Sequence, residues 1–368
     1  MVYRRSIIGL LLLALIGLGV EFYLLPARSI FHAWGRLLLT AALVIQIVHE
    51  VIAHKHLNRP NPRAPLYPTL GAANVLTLFR GVLIAFLAGF LVSGLPPKPF
   101  RWVPGFLFTT AILLDFLDGI VARLTRRPSL LGQHLDMHLD SIGVLVAALL
   151  VVRIGHMPWW YALVGLARYL FLLGEALLRR AHRPLHPLPP SPTRRLLAGS
   201  QMVFLAVALY PQGAHPGVRL VGTFLSVPFL LGFVRDFLAV AGWTGNTLSR
   251  RLNSDLWPQS ILPLVRWGTG LLLLVYTWRV APVLSAHMTP LSVFGHLLLA
   301  FLLVGGVLVR LNAALLLAIV AVHVTFMPEH VWHLLLLIGG TTVFLGGGGR
   351  YSLWTPDDTL FLKRLGAR

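Results

Sequence analysis

The sequence predicts an all-α, polytopic integral membrane protein of about twelve transmembrane helices. Three observations carry that prediction. Apolar runs of about 17–25 residues, the length that crosses the hydrocarbon core of a bilayer, recur along the chain. Loops rich in Pro, Gly, Lys or Arg separate them. The composition is 57% hydrophobic and only 12% charged, which few soluble domains approach. The net charge of +19 would suit a nucleic-acid binder in a soluble chain. Here the basic residues lie mostly in short loops between apolar runs, as they do in a chain that faces anionic lipid, so nucleic acid is not an expected partner. There is no Cys, which removes disulfides and thiolate chemistry from consideration.

Taken in order, residues 1–70 form a two-helix membrane extension with a polar connector. The apolar run after Arg5 has the length of a full span and no convincing small-residue cleavage site follows it, so it reads as a retained anchor, near 6–25. A second span covers about 30–52. The connector, 54–70, is Pro-rich and carries Lys55, Arg59 and Arg63; His49, His54 and His56 read as interfacial histidines at the end of a span. Residues 71–243 hold six apolar segments, near 74–95, 104–123, 136–152, 158–180, 196–210 and 218–241, with a strongly basic loop across 179–195. A linker, 244–260, precedes four more apolar segments in 261–350 and a polar tail, 351–368.

Loop charge sets the expected orientation. With the N-terminus inside and twelve spans, most Lys and Arg fall on one side. The other side keeps Arg28, Lys98, Arg101, Arg153, Arg219 and Arg279. Both termini, the 244–260 linker and the loop between Arg123 and Asp136 then face the cytoplasm, with the protein in the cytoplasmic (inner) membrane.

Four carboxylates interrupt this apolar background within 26 residues: Asp115, Asp118, Asp136 and Asp140. Each costs a few kcal/mol or more near the middle of an apolar helix, so idle acids are not expected there. Asp115 and Asp118 are three residues apart, Asp136 and Asp140 four apart, and each pair shares a helix face. Pro128 and Gly132 break the run between them, so two helices joined by a short loop would bring the pairs together. Converging carboxylates repel unless cations neutralise them, and all-oxygen ligands favour Mg²⁺ or Mn²⁺. A two-metal site is expected. The competing structural reading is an ion-pair cluster with Arg123, Arg126 or Arg127 as partners.

The stretch reads D-x2-D-G-x2-A-R-x8-G-x3-D-x3-D with all eight defined positions filled, and it resembles the signature of the CDP-alcohol phosphatidyltransferases. The resemblance covers the six-helix block. It implies an enzyme of phospholipid synthesis that moves a phosphatidyl group from a CDP-lipid to the hydroxyl of an alcohol and releases CMP. By the same resemblance Asp115, Asp118 and Asp136 are metal ligands, and Asp140 is the general base, with contact to a metal as well. Gly119 would let the nucleotide approach the helix backbone, Ala122 would be small for a similar reason, and Arg123 would face the phosphates or pair with an acid. Gly132 would let the loop turn tightly before the next helix. A homodimer is usual for the family.

Other residues join the candidate set. Asn74, Thr77 and Arg80 resemble the N-x-x-T-x-x-R stretch that often precedes the motif. Asn74 and Thr77 are candidates for the cytidine end and Arg80 for the acceptor, against a reading as helix cap and interfacial arginine. Arg168 is a candidate for a phosphate on the acceptor, against a helix-bridging ion pair; it shares a face with Glu175. Arg235 and Asp236 read as a structural pair. His134 and His138 flank Asp136 at i, i+4, and loop polarity accounts for them more simply than zinc. In the last block, Arg266-Trp-Gly-Thr-Gly and the Gly-rich run into Arg350-Tyr-Ser-Leu are similar to DoxX-like four-helix membrane proteins, and Gly346 to Gly349 lack the strand-to-helix context of a phosphate cradle. A multi-span transporter with an acidic cation or proton site is the alternative function. It sits poorly with acids gathered at one membrane face and with halves that show no repeat.

Overall fold

The computed structural model describes residues 29–98, 100–188, 192–243, 261–284, 290–326 and 330–357, with scattered positions between 9 and 19. The first expected span lies mostly outside the described residues, as do the 244–260 linker and the tail from 358 onward. Among the described residues there are eleven helices and no named strand. They are α1 (Ile30–Ala53), α2 (Ala72–Ser93), α3 (Val103–Leu124), α4 (Leu130–Arg153), α5 (Ala162–Arg180), α6 (Pro192–Ala208), α7 (Pro216–Val240), α8 (Ile261–Leu284), α9 (Pro290–Gly305), α10 (Val309–Phe326) and α11 (His330–Gly346).

Seven of these have the length and apolarity to cross a membrane: α1 to α5, α7 and α8. The apolar helices α9, α10 and α11 are shorter. Helix α6 is neither. Its 17 residues rise only about 25 Å, and Arg194 and Arg195 occupy its first turn. Large apolar side chains stay on the outside of the bundle, as Phe31, Trp34, Leu38 and Ile45 do on α1, a pattern that lipid satisfies and water does not. The protein is an all-helical membrane protein.

The chain divides into two compact units, each built from two stretches: Met1–Arg168 with Met202–Ala214, and Tyr169–Gln201 with His215–Arg368. In the first, α2 is the hub, packing against α1, α3 and α4. Its buried face mixes Leu78, Val82 and Leu87 with the small residues Ala85 and Ala88, which let neighbouring helices come close. Gly81 shows the constraint: a Cβ there would lie 2.9 Å from Ile47 and 3.2 Å from Leu139, side chains of two different helices.

The α3–α4 turn is set locally. Arg126 takes a left-handed φ of 52° after the end of α3, and the amides of Arg126 and Arg127 close back on the carbonyls of Arg123 and Ala122 at 3.1 Å. Ser129 then caps α4, its Oγ accepting from the Gly132 amide at 3.0 Å. Gly132 therefore sits in the first turn of α4 and not in the loop. Its missing side chain makes room for Asn74, whose Oδ1 would be 2.6 Å from a Cβ.

In the second unit, α7 packs against α10 and α11, and α10, α11, α8 and α9 pack in sequence. A Cβ on Gly217 of α7 would overlap the Ala321 carbonyl of α10. Arg266, fully buried on α8, donates to the carbonyls of Gly348 (2.5 Å) and Tyr351 (2.8 Å) and to Ser352 Oγ (2.5 Å). The two strings singled out in the last block thus meet. The glycine run supplies one carbonyl acceptor, that of Gly348, and the following Tyr351 and Ser352 supply the others, with Gly347 and Gly349 at positive φ in the turn.

Because α7 is packed on α10 and α11, cutting the chain after residue 260 is expected to give a protein that aggregates or melts well below the full-length form in detergent. Gly217→Leu, which overfills the α7–α10 contact, should destabilise the intact protein by about 1–3 kcal/mol. Thermal unfolding with size-exclusion chromatography checks both, and an unchanged melting curve for the truncated chain would contradict the packing.

Candidate active site

The four acids arrive from two helices that run away from one short turn. Asp118 precedes the end of α3 at Leu124 by six residues, and Asp136 follows the start of α4 at Leu130 by six. At 1.5 Å per residue both sit about 9 Å from the turn, at matched depth. Helix α2 lies against both and supplies the floor.

Carboxylate oxygens of Asp115, Asp118 and Asp136 lie within 4.8 Å of one another. Asp118 is the most buried of the four, the residue being 9% exposed, and Thr77 Oγ1 donates to its Oδ2 at 2.7 Å. Asp115, Asp136 and Asp140 are half-exposed, opening the cluster on one side. Arg80 occupies the centre. Its guanidinium pairs with Asp115, reaches Asp136 Oδ1 at 2.9 Å and the Asp136 carbonyl at 3.2 Å, and lies 3.5 Å from Asp140 Oδ1. The side chain is only 2% exposed, so a full positive charge is held inside the bundle by three acids.

The residue types fit divalent cations. Three carboxylates converge with oxygen-only ligands and no nitrogen or sulfur donor among them, the set that suits Mg²⁺ or Mn²⁺. Asp140, one helical turn beyond Asp136, joins the group through Arg80 and keeps a solvent-facing side.

The sequence candidates divide in three ways. Asp115, Asp118, Asp136, Asp140, Thr77 and Arg80 form one cluster. Asn74 lies one turn before Thr77, buried and fully engaged: its Nδ2 donates to the Leu70 carbonyl (2.7 Å), to Ser129 Oγ (3.1 Å) and to Asn58 Oδ1 (3.3 Å). It ties the connector to the cap of α4. Asn58 in turn donates to the Thr69 carbonyl at 2.8 Å, and the Leu130 amide to the Arg59 carbonyl at 2.9 Å, so the connector is folded against the mouth of the site.

Gly119 and Ala122 are partly exposed on α3, each one turn on from an acid (Asp115 and Asp118), and Arg123 is exposed. A Cβ on Gly119 would meet nothing closer than Arg123 Nη1 at 3.5 Å, so the protein itself does not require a glycine there. Arg123 is exposed and makes no ion pair with the four acids among the described residues. The arginine that pairs with the acids is Arg80. The signal for it was present, since Asn74, Thr77 and Arg80 repeat every three residues and share a face, but sequence could not say which helix that face met.

Arg168 lies half-buried on α5 without a salt bridge to an acid among the described residues, while Glu175 is paired with Arg179 at 3.8 Å. Arg235 pairs with Asp236 at 2.8 Å, as expected for a structural pair, and Arg194 adds a contact at 3.2 Å.

Replacing Arg80 with Gln leaves three acids without their counter-charge, which should cost about 3–5 kcal/mol in a chelator. Mg²⁺ at millimolar concentration is expected to restore much of the loss. Thermal melts with and without Mg²⁺ check this, and a variant as stable as wild type in chelator would contradict it.

Comparison with known proteins bears on the same segment. Residues 70–244 match the family described as CDP-alcohol phosphatidyltransferase. Among curated proteins, the chain is 37% identical over 93 residues to a CDP-diacylglycerol--glycerol-3-phosphate 3-phosphatidyltransferase of Sodalis glossinidius (strain morsitans), covering 24% of this chain and 47% of that one. The protein of the same name from Yersinia pestis (strain Pestoides F) is 39% identical over 93 residues with the same coverage. The chain thus spans about half the length of the curated relatives it matches. No solved structure matches it. The matched segment begins just before α2, ends just after α7 and contains every acid of the cluster, and over that segment the chain is similar to the CDP-alcohol phosphatidyltransferase family.

Proposed function

We propose that the protein transfers a phosphatidyl group from CDP-diacylglycerol to the hydroxyl of a small phosphorylated alcohol, with release of CMP. The convergence of Asp115, Asp118 and Asp136 oxygens within 4.8 Å, with Asp140 beside them, is the observation that supports this most. The names of the matched relatives point to glycerol 3-phosphate as the acceptor to test first.

In this reading Asp115, Asp118 and Asp136 hold two Mg²⁺ or Mn²⁺ ions. When bound, these supply charge neutralisation for the diphosphate and for the departing phosphate oxygen. Thr77 fixes the orientation of Asp118 by its 2.7 Å hydrogen bond. Asp140 is the acid least committed to the cluster and takes the proton from the attacking hydroxyl, while an oxygen–phosphorus bond forms to the alcohol and the bond to CMP breaks. Arg80 offsets the mutual repulsion of the acids and holds them together. Gly119 offers a bare backbone against which the nucleotide packs, and Ala122 keeps that face low. Arg123, exposed beside them, meets the phosphates. Asn74 acts from behind, holding the start of α4. Arg168 is the group left to receive a phosphate on the acceptor.

The excess of loop Lys and Arg supports a reading in which the α3–α4 turn faces the cytoplasm at the inner membrane, where a soluble phosphorylated alcohol would be found. The family resemblance implies a homodimer, which cross-linking in membranes would test.

Purified protein with CDP-diacylglycerol, glycerol 3-phosphate and Mg²⁺ is expected to release CMP only when the alcohol is present. Asp140→Asn should lower the rate by about 10²–10⁴-fold while the protein still melts cooperatively. Chelation should abolish turnover and Mg²⁺ or Mn²⁺ restore it. Gly119→Ala, whose Cβ would meet only Arg123 Nη1 at an ordinary 3.5 Å, should leave the melting temperature unchanged and raise the KM for the CDP-lipid. No CMP release with any alcohol from folded, Mg²⁺-loaded protein would overturn the proposal and favour a cation pathway for the acids.

A further inference from the structure

A second group of metal-ligating side chains lies outside the carboxylate cluster. Glu50 is in the last turn of α1, His54 follows at the end of that helix, and His134 is in the second turn of α4. One atom from each falls within 4.8 Å of the others. His54 Nδ1 and His134 Nε2 both lie 3.1 Å from the same atom, Glu50 Oε2. The two imidazoles are 4.0 Å apart between centroids. His134 also stacks on His138 at 6.5 Å with nearly parallel rings, and the Gln46 amide meets His138 Nε2 at 3.3 Å.

We infer that Glu50, His54 and His134 form a binding site for a transition-metal dication of the Zn²⁺ class, a staple between α1 and α4 separate from the carboxylate cluster.

Two ring nitrogens pointing at one carboxylate oxygen need a hydrogen-bonding proton or a cation between them, and His54 Nδ1 also lies 3.1 Å from the Glu50 carbonyl. Protons on both rings can serve, or one dication can, with each ring carrying its proton on the other nitrogen. The spacing suits the ion. Tetrahedral zinc with bonds of about 2.0–2.1 Å sets its ligand atoms about 3.3 Å apart, and both nitrogen–oxygen separations here are 3.1 Å. Two imidazoles and one carboxylate form an established zinc donor set that leaves a fourth position for water. The solvent-facing side is available, since the His54 and His134 side chains are about a third exposed. Donor chemistry separates the two sites: imidazole favours zinc, whereas the oxygen-only cluster of Asp115, Asp118 and Asp136 favours Mg²⁺ or Mn²⁺.

The location gives the staple a purpose. Helix α1 packs along α2 and meets α4 only marginally, so this polar cluster is the main tie between α1 and the helix that carries Asp136 and Asp140. Helix α1 also lies outside the 70–244 family segment, so the tie fastens an added helix to the catalytic block.

The test uses full-length protein without an affinity tag, stripped with chelator, returned to millimolar Mg²⁺ and titrated with Zn²⁺. Bound zinc is measured by mass spectrometry, and the melting temperature is followed in parallel. Wild type is expected to take up one zinc per chain and to melt higher. Glu50→Gln and His54→Ala should lose affinity by at least the roughly 10–100-fold that follows loss of even a supporting residue at a metal site. His134→Gln keeps a hydrogen-bond donor for Glu50 but no imidazole, and should fold yet lose the zinc-dependent rise in melting temperature. Asp115→Asn should keep its zinc, which makes this outcome independent of the transferase reading. Zinc uptake that is absent in wild type, or equal in wild type and all three variants of the triad, would overturn the site and leave a hydrogen-bonded triad in its place.

Discussion

Arg80 makes the interactions on which the carboxylate cluster depends. Carboxylates on α3 and α4 come close enough to repel strongly in a low-dielectric bundle, and a buried guanidinium with contacts to Asp115, Asp136 and Asp140 offsets that repulsion. The arrangement fixes more than charge. Arg80 and Thr77 are one turn apart on α2, so the two helices that carry acids are both registered to the same face of a third. A rotation of α2 by a single residue would turn Thr77 away from Asp118 and Arg80 away from the other three. The packing of α2 resists such a rotation, because Gly81, the next residue, is crowded by Ile47 from one side and Leu139 from the other.

The mouth of the site is organised by neutral polar groups. Asn74 binds the connector through Asn58 and the α4 cap through Ser129, and Gly132 has no side chain because Asn74 occupies its space. A motif glycine on α4 is therefore explained by an asparagine from a segment before the motif. The histidines at the end of α1 and on α4 extend the same logic to the opposite side of α4, where Glu50 gathers two imidazoles from helices remote in sequence.

Several expectations changed for identifiable reasons. Gly132 was expected in a loop, and the Ser129 cap moves the helix start ahead of it. Arg123 was one of the arginines expected to pair with the acids, but a residue five positions beyond Asp118 points away from the α2 face, and Arg80 does the pairing. The segment at 196–210 was expected as a span; α6 runs from Pro192 to Ala208 with Arg194 and Arg195 in its first turn, and it is not among the seven helices with the length and apolarity to cross a membrane. His54 and His134 were read separately, one as interfacial and one as loop polarity, because nothing local signals that the ends of α1 and α4 meet. The chain divides inside α5 and α6, within the six-helix block of the sequence, since α7 finds its packing partners in the last helices.

By itself the sequence determined the helical membrane class, the position of most helices and the acid motif. Each of these is written in local terms: apolar run length, the three- and four-residue spacings that place side chains on one face, and residue types that only a cation can reconcile. It also put Asn74, Thr77 and Arg80 on one helix face, because their spacing is local too. Only the tertiary structure decided which helix their face meets, that Arg80 rather than Arg123 neutralises the cluster, that the connector closes over the α4 cap, and that Glu50, His54 and His134 converge. Those are contacts between residues 35 to 84 positions apart. They depend on how small residues let particular helices approach, which no periodicity within a single helix encodes.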